Sequence, residues 1–210
     1  MLRNHPIVSS LPKWSLLIAL TAALGAGATA SATTLDNLQT AYNGESNAHA
    51  RYLAFADQAQ KDGYGQVASL FRAAARAEEV HANNHAAVIR ELGGTPKANI
   101  ETPAVQSTRE NLAVAIKGET YERDTMYPDF IKQARTDRNS RALRTFNLAK
   151  TAEAEHAKLY QQALDGLDGS KGMQATAFYV CPICGFTVRQ TDFEKCPSCF
   201  TPKDEFEKVA

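Results

Sequence analysis

The chain has 210 residues, of which 44% are hydrophobic and 22% are charged, and its 23 Lys and Arg balance its 23 Asp and Glu. This length is enough for one medium-sized domain and a small second one. No basic patch, Arg-rich stripe or run of like charge occurs in the sequence, which argues against binding to nucleic acid or to an anionic membrane surface.

The beginning of the chain has the pattern of a secretory signal peptide. Arg3 and Lys13 precede an uncharged apolar run over residues 14–28, which is short for a membrane span and is followed by two overlapping small-x-small cleavage motifs. We therefore predict that residues 1–32 are a cleavable signal peptide, that the protein is exported to the periplasm, and that it has no membrane attachment afterwards. An uncleaved anchor stays open as the alternative.

Removal of this segment takes away two basic residues and no acidic one, and leaves about 178 residues. It contains neither a twin-arginine motif nor a cysteine at the cleavage region. We therefore expect export of the unfolded chain, with any metal loaded afterwards.

Two helices are predicted next, over residues 34–61 and 66–92, because apolar side chains recur there at helical spacing. Glu45 lies on the apolar stripe of the first helix, and Glu78 and His81 lie on that of the second. Residues three apart share one face of a helix, so Glu78 and His81 can point at one site. The short connection makes the two helices antiparallel neighbours.

The stretch over residues 93–103 contains two glycines and two prolines and has no helical period. Extended, it reaches on the order of 35 Å, close to the length of the helix that it must pass. It therefore suits a long crossover from the second helix to a third.

The third helix is predicted over residues 104–135, with Val105 and Glu119 on its inner stripe, and Pro128 is expected to kink or interrupt it just beyond Glu119. The fourth is predicted over residues 140–167, with Glu153 and His156 facing inward. A short link, a long crossover and a short link are the connectivity of a ferritin-like four-helix bundle, assigned here to residues 33–167.

The acidic clusters form an internal repeat. Glu45 precedes Glu78 by 33 residues and Glu119 precedes Glu153 by 34, and in each unit a lone Glu is followed by a Glu-x-x-His pair. A carboxylate on an apolar stripe is costly to bury, and metal cations offset that cost. Solvated glutamates would explain one such pair. Four clusters, each near the middle of its predicted helix and with Glu122 beside the third, indicate a two-metal site. Oxygen and imidazole ligands suit iron or manganese.

Residues 168–177 have the composition of a flexible linker, and residues 178–210 contain all four cysteines in two C-x-x-C pairs. Such pairs place four sulfur atoms around one metal, and the Pro and Gly residues within them are typical of metal knuckles. Export keeps disulfides open as the alternative. Five aromatic residues are expected to pack beside this metal: Phe178, Tyr179, Phe186, Phe193 and Phe200.

Together these features resemble the rubrerythrins, from about residue 35 to the C-terminus, and the stretches Asn-Gly-Glu-Ser at 43–46 and Gly-Glu-Thr-Tyr-Glu at 118–122 look like that family. The resemblance implies a mainly α fold, in which a ferritin-like di-iron four-helix bundle is followed by a small rubredoxin-like metal-binding β domain with one iron on four cysteines.

The resemblance also implies roles for single residues. Glu78 and Glu153 would bridge two irons, and one iron would shift between Glu122 and His81 as its redox state changes. Tyr52 and Tyr127 would hydrogen-bond ligands or peroxide, although a role as core aromatics stays open. The implied metal ligands are Glu45, Glu78, His81, Glu119, Glu122, Glu153 and His156 for the pair, and Cys181, Cys184, Cys196 and Cys199 for the single iron.

The activity that the resemblance implies is reduction of hydrogen peroxide to water, with electrons from an unknown donor protein entering through the four-cysteine iron. A head-to-tail homodimer is expected, since the linker could carry the tail to another subunit. An iron-oxidising or iron-storing protein and a zinc-binding interaction module stay open as alternatives. The family is mostly cytoplasmic, so export is a departure from it. His49 and His85, each one turn beyond a predicted ligand, are expected not to bind metal.

Overall fold

The computed structural model describes Met1 and residues 32–210, so the predicted signal peptide lies outside the described residues except at its two ends. Within the described part, α1 (Thr34–Lys61), α2 (Gly65–Glu91) and α5 (Ser140–Asp165) form three rods of a bundle. The fourth rod consists of α3 (Thr108–Tyr121), a π-helical segment (Glu122–Met126) and α4 (Tyr127–Thr136). The predicted four-helix bundle is confirmed. Among the described residues, no helix has the length and apolar character needed to cross a membrane.

Two aspartates connect the ends of the helical rods through side-chain hydrogen bonds. The Asp137 carboxylate accepts hydrogen bonds from the backbone N–H and the hydroxyl of Thr34, at 3.1 and 2.6 Å. The Asp62 carboxylate accepts the same pair from Thr108, at 3.1 and 2.6 Å. Each aspartate follows the end of one helix and satisfies the free N–H at the start of another, which fixes the rods relative to each other.

The third rod begins later than predicted. Residues 104–107 are not helical, Val105 is 41% exposed instead of facing inward, and α3 starts at Thr108, where Ser107 and Glu110 form a capping box. The predicted interruption near Pro128 takes the form of the π-helical segment, and Pro128 lies in the first turn of α4, directly after that segment.

The acidic layer separates two apolar clusters of the bundle. One cluster contains Phe55, Phe71 and Leu112, and the other contains Leu38 and Phe146. All of these side chains are fully buried. The carboxylates therefore lie within the dry interior, where an unpaired charge is costly.

The C-terminal tail forms a three-stranded antiparallel sheet of β1 (Phe178–Val180), β2 (Thr187–Val188) and β3 (Glu207–Val209), in the order β2-β1-β3. The sheet lies on the bundle of its own chain. Arg76 on α2 makes a bidentate ion pair with Glu207, at 2.6 and 2.9 Å. The preceding linker also packs closely: the Gly172 N–H donates to the Gly63 carbonyl at 2.8 Å.

Two of the five predicted tail aromatics lie elsewhere than expected. Phe178 is buried in the bundle cluster that contains Phe71, because β1 faces α2. Phe200 is 73% exposed at the tip of the second C-x-x-C turn. Tyr179, Phe186 and Phe193 do pack beside the cysteines, together with Phe206, which the sequence did not indicate.

Candidate metal centres

The structure brings six predicted ligands of the bundle into two overlapping quartets. In each quartet the ligand atoms lie within 4.8 Å of one another. Two glutamates, Glu78 and Glu153, belong to both quartets, as expected of bridging carboxylates. The first quartet is Glu45, Glu78, His81 and Glu153, and the second is Glu78, Glu119, Glu153 and His156. All six side chains are at most 1% exposed.

Both histidines present Nδ1 to the carboxylates and Nε2 to the tail. His81 Nδ1 lies 2.9 Å from Glu78 Oε2 and 3.0 Å from Glu153 Oε1. His156 Nδ1 lies 3.0 Å from Glu153 Oε2 and 3.4 Å from Glu78 Oε1. The Glu-x-x-His spacing on α2 and α5 produces this geometry, because it stacks the two side chains of each pair on one helix face.

The partners of Nε2 fix the tautomer of both rings. His81 Nε2 lies 3.0 Å from the Cys184 carbonyl oxygen, and His156 Nε2 lies 3.1 Å from Thr187 Oγ1, whose own proton goes to the Gly185 carbonyl. A carbonyl only accepts and a hydroxyl has one proton, so both Nε2 atoms are the donors. In a neutral ring Nδ1 is then a lone pair that faces carboxylate oxygens. Only a cation or a proton between them makes that contact attractive.

Buried polar atoms without hydrogen bonds identify the place for such cations. Six ligand atoms of the bundle have no hydrogen-bond partner among the described residues: Glu45 Oε2, Glu78 Oε1, Glu119 Oε2, both carboxylate oxygens of Glu153, and His156 Nδ1. A buried carboxylate oxygen is costly to leave unpaired. Oxygen and imidazole donors in two quartets that share two carboxylates fit a pair of metal ions.

The electrostatics of the protein groups point the same way. Burial raises the pKa of Glu45 well above its usual range, and neighbouring carboxylates raise it further. Burial and the Glu78 charge raise the pKa of Glu119 to about 8. Burial disfavours a charged His81, but the surrounding carboxylates outweigh it and raise its pKa. The site therefore attracts positive charge, which protons or metal ions can supply.

Two tyrosines donate hydrogen bonds to the terminal carboxylates in a pseudo-twofold arrangement. Tyr52 donates to Glu119 Oε1 at 2.5 Å, and Tyr127 donates to Glu45 Oε1. Tyr52 follows Glu45 by seven residues, whereas Tyr127 follows Glu119 by eight. The π-helical segment Glu122–Met126 accommodates the extra residue, so both tyrosines reach equivalent positions. Burial raises the pKa of both phenols, which keeps them protonated donors at neutral pH.

Three further residues from the sequence analysis lie outside both quartets. Glu122 is half-buried in the π-helical segment, and burial together with the Glu119 charge raises its pKa. His49 Nδ1 lies 2.7 Å from the Ala75 carbonyl oxygen, away from the carboxylates. His85 is buried, with Nε2 3.1 Å from the Tyr127 hydroxyl, and burial lowers its pKa to about 3.

The four cysteine sulfur atoms form one compact group. All four Sγ atoms lie within 4.8 Å of one another, and none of the cysteines is in a disulfide. Two equivalent turns hold them: the Gly185 N–H donates to the Cys181 carbonyl, and the Phe200 N–H donates to the Cys196 carbonyl. Residues 185 and 200 both have a positive φ, of 75° and 66°. Four thiolates at this spacing fit one tetrahedral metal ion.

Several contacts of the site were not evident from the sequence. Thr187 and the Cys184 carbonyl bind the two histidines from the tail, and Gly185 is packed so closely against His81 that a Cβ atom there would overlap the imidazole ring. The sequence assigned Gly185 only to the turn around the metal. Tertiary packing determines the face of the tail that contacts the bundle, and no local sequence pattern predicts that face.

The comparisons with known proteins agree with this geometry. Residues 36–164 match the rubrerythrin family. The chain is 43% identical over 179 residues to nigerythrin of Nitratidesulfovibrio vulgaris, covering 85% of this chain and 87% of that protein. It is 39% identical over 180 residues to rubrerythrin-2 of Clostridium acetobutylicum, covering 84% and 97%.

A solved structure of nigerythrin in its fully reduced, all-ferrous state superposes with a TM-score of 0.79 at 41% identity, and the match covers 88% of this chain and 91% of that one. The likeness therefore includes the four-cysteine tail as well as the bundle. With its buried Glu and His quartets and its four-cysteine site, the chain belongs to the rubrerythrin family.

Proposed function

We propose that this chain is a non-haem di-iron peroxidase, which reduces hydrogen peroxide to water and receives electrons through an iron ion held by the four cysteines. Membership of the rubrerythrin family supports an oxidoreductase, and the donor sets of both centres suit iron. The similar nigerythrin has been observed in an all-ferrous state, which supports iron in the quartets.

The contact between His81 and Cys184 is the observation that carries the proposal. A continuous path leads from Cys184 Sγ through its own backbone to the carbonyl oxygen, across 3.0 Å to His81 Nε2, and through the ring to Nδ1 at the first quartet. A storage protein has no use for a thiolate site joined to its acidic centre in this way. A zinc-binding interaction module would have no use for it either, because zinc is redox-silent.

Two ferrous ions side by side would supply both electrons that peroxide reduction requires and would polarise both peroxide oxygens as Lewis acids. The protein groups do the rest. The carboxylates neutralise the ions, the Nε2–H bonds to the tail hold both imidazoles with Nδ1 inward, and Tyr52 and Tyr127 orient Glu119 and Glu45. The apolar clusters on either side keep bulk water out.

Three accompanying proposals concern the setting of the enzyme. We propose that it acts in the periplasm after removal of residues 1–32, as the N-terminal pattern suggests. An exported donor protein would then reduce the four-cysteine site. The head-to-tail homodimer also stays a proposal, and sedimentation of the processed protein measures whether it is a dimer.

Two variants test the proposal. The protein is purified anaerobically, reduced, and mixed with peroxide or with oxygen. We expect peroxide to oxidise it faster. Cys199→Ser should stop turnover with an external donor but allow one peroxide-driven oxidation of the bundle centre. Glu119→Gln should prevent that oxidation but leave the four-cysteine site coloured.

Each alternative has its own outcome. Faster oxidation by oxygen than by peroxide would favour the iron-oxidising function. A colourless four-cysteine site that resists reductant would favour the zinc-binding module.

A further inference from the structure

A row of hydrogen bonds leaves the first quartet through Tyr127. Tyr127 donates to Glu45 Oε1, His85 Nε2 lies 3.1 Å from the Tyr127 hydroxyl, and Thr145 Oγ1 lies 3.1 Å from His85 Nδ1. Tyr127 and His85 are fully buried, and Thr145 is only 6% exposed. These three side chains come from α4, α2 and α5, so the row crosses the width of the bundle.

The outer end of the row opens on a surface cavity of about 350 Å³. Thr145 lines this cavity together with Asn84, Glu91, Arg141, Arg144 and Ile183. The cavity is wide enough for several water molecules, and Asn84, Glu91, Arg141 and Arg144 provide polar groups among walls that are otherwise mainly apolar. The row therefore runs from a place that water can occupy to a carboxylate in the dry interior.

The donors and acceptors of the row can all point in one direction. A Glu45 carboxylate that binds a cation only accepts, so the single proton of Tyr127 goes to Glu45. His85 Nε2 must then donate to Tyr127, which leaves Nδ1 of the neutral ring as an acceptor for the Thr145 hydroxyl. Each of the three groups donates towards the quartet, and Thr145 still has lone pairs for a water molecule in the cavity.

The symmetry-related path, which leads from Glu119 through Tyr52, has no such row among the described residues. Tyr160 follows Glu153 by seven residues, as His85 follows Glu78, but its hydroxyl has no hydrogen-bond partner among the described residues. The position that corresponds to Thr145, eight residues before the Glu of the Glu-x-x-His pair, is occupied by Leu70.

The Tyr160 and Tyr52 rings pack edge to face within an apolar cluster, with their centroids 5.5 Å apart. The polar residues His85 and Thr145 occur together on the path that leads from Glu45 to the cavity, whereas their counterparts on the path from Glu119 are Tyr160 and Leu70.

We propose that Thr145, His85 and Tyr127 conduct protons from the surface cavity to Glu45. This inference rests on the proposed function, because reduction of one hydrogen peroxide to two waters consumes two protons along with the two electrons. A water in the cavity gives a proton to Thr145 Oγ1, and the Thr145 proton moves to His85 Nδ1. The Nε2 proton moves to Tyr127 Oη, and the Tyr127 proton moves to Glu45 Oε1. Thr145, His85 and Tyr127 each lose one proton and gain one. The hydroxide left in the cavity is neutralised by bulk solvent, and Glu45 passes the proton that it has gained to a peroxide oxygen.

The first test measures the row without any turnover. In protein loaded with zinc, which is redox-silent and diamagnetic, nitrogen NMR of the imidazoles should show His85 protonated at Nε2, with Nδ1 accepting a hydrogen bond. Thr145→Val, which keeps the shape but removes the hydroxyl, should shift the Nδ1 resonance of His85. A proton on Nδ1 in the wild type, or no shift in Thr145→Val, would overturn the proposal.

The second test measures proton delivery. Anaerobically reduced protein is mixed with peroxide in H2O and in D2O. Thr145→Val should slow the oxidation by about 10²-fold, in line with the loss of one acid–base group, and should increase the solvent isotope effect. Thr145→Ser should restore the wild-type rate. Tyr160→Phe, which removes the unpartnered hydroxyl on the symmetry-related path from Glu119, should leave the rate unchanged.

A wild-type rate and isotope effect in Thr145→Val would overturn the relay. Failure of the wild type to react with peroxide would instead overturn the proposed peroxidase function, and the NMR result would still decide whether the row exists. The two failures are therefore distinguishable.

Discussion

Gly185 of the tail lies directly against the imidazole ring of His81, with no space for a Cβ atom between the two residues. Because His81 belongs to the first quartet and residue 185 follows Cys184, this contact joins the two candidate metal centres. It also explains why glycine is needed at a position that a knuckle turn with positive φ already favours.

Gly185→Ala should displace the tail from the bundle. The new methyl group would overlap the His81 ring, so the hydrogen bond between His81 Nε2 and the Cys184 carbonyl should be lost. We expect electron transfer from the four-cysteine site to the bundle centre to slow by at least about tenfold, the effect of a small misplacement at a site that depends on geometry. Stopped-flow absorbance of the two centres measures this rate.

Phe200→Ala is the matched control for this variant. It places alanine at the equivalent positive-φ position of the other knuckle, which faces solvent. If both variants slow electron transfer equally, the loss comes from the knuckle turns and not from contact with His81.

The ion pair between Arg76 and Glu207 should contribute modestly to docking of the tail. The side chains are 30% and 40% exposed, so solvent screens the pair, and its bidentate geometry is worth about 0.5–1 kcal/mol. Arg76→Ala should therefore increase protease cleavage of the linker, more so at low salt. The charge-reversed double variant Arg76→Glu with Glu207→Arg should restore part of the protection, because the new carboxylate at position 76 lies one turn from Glu79.

Lys203→Ala serves as its control, because it removes an ion pair with Glu194 that lies entirely within the tail. Equal cleavage of the linker in Arg76→Ala and the wild type would contradict a role of the pair in docking.

The hydrogen bonds that Asp62 accepts from Thr108 should make the stability of the bundle depend on pH in the acid range. Hydrogen bonds from Thr108 hold the pKa of Asp62 below its ordinary value of 3.8. The unfolded chain then binds more protons than the folded one between the two pKa values. The contribution of the Asp62 carboxylate to the free energy of unfolding is therefore complete above pH 3.8, and it is lost as the pH falls through the pKa of Asp62 in the folded chain.

Asp62→Asn should lower the melting temperature at pH 6 but have a smaller effect near pH 3. Asp129→Asn, at an exposed carboxylate without a hydrogen bond among the described residues, is the control. A destabilisation by Asp62→Asn that is the same at both pH values would contradict this account.

Phe200→Gly should stabilise the tail. Phe200 has a φ of 66° and is 73% exposed, so its side chain offers little packing to offset the cost of a left-handed backbone. Glycine removes that cost, and we expect a gain of about 1 kcal/mol. The measurement is the rate at which a chelator removes zinc from the four-cysteine site. Faster removal than from the wild type would contradict a cost of the left-handed backbone at Phe200.

The four rods and the six residues of the two quartets could be predicted because both follow from local periodicity. Glu78 and His81 must share a face of any helix that contains them, and the similar spacings of Glu45–Glu78 and Glu119–Glu153, 33 and 34 residues, are visible in the sequence alone. Similarly, the pairs of cysteines define one metal site whatever their surroundings.

The remaining features depend on tertiary contacts. The π-helical segment brings Tyr127 to the position that is equivalent to that of Tyr52. The one-residue difference in spacing predicts such a segment only when the pairing of the two tyrosines is already known. Thr187 reaches His156 only because the sheet docks on α2 and α5. The sequence placed Phe200 beside the metal because it is aromatic, whereas the direction of the turn exposes it.

Anomalous diffraction at the iron edge, from crystals of protein purified anaerobically, tests the central claim most directly. The account predicts three iron peaks per chain: one between the ligand atoms of each bundle quartet, and one within the four cysteines. Quartets that bind no metal, with the carboxylates of Glu78 and Glu153 turned away from each other, would contradict it.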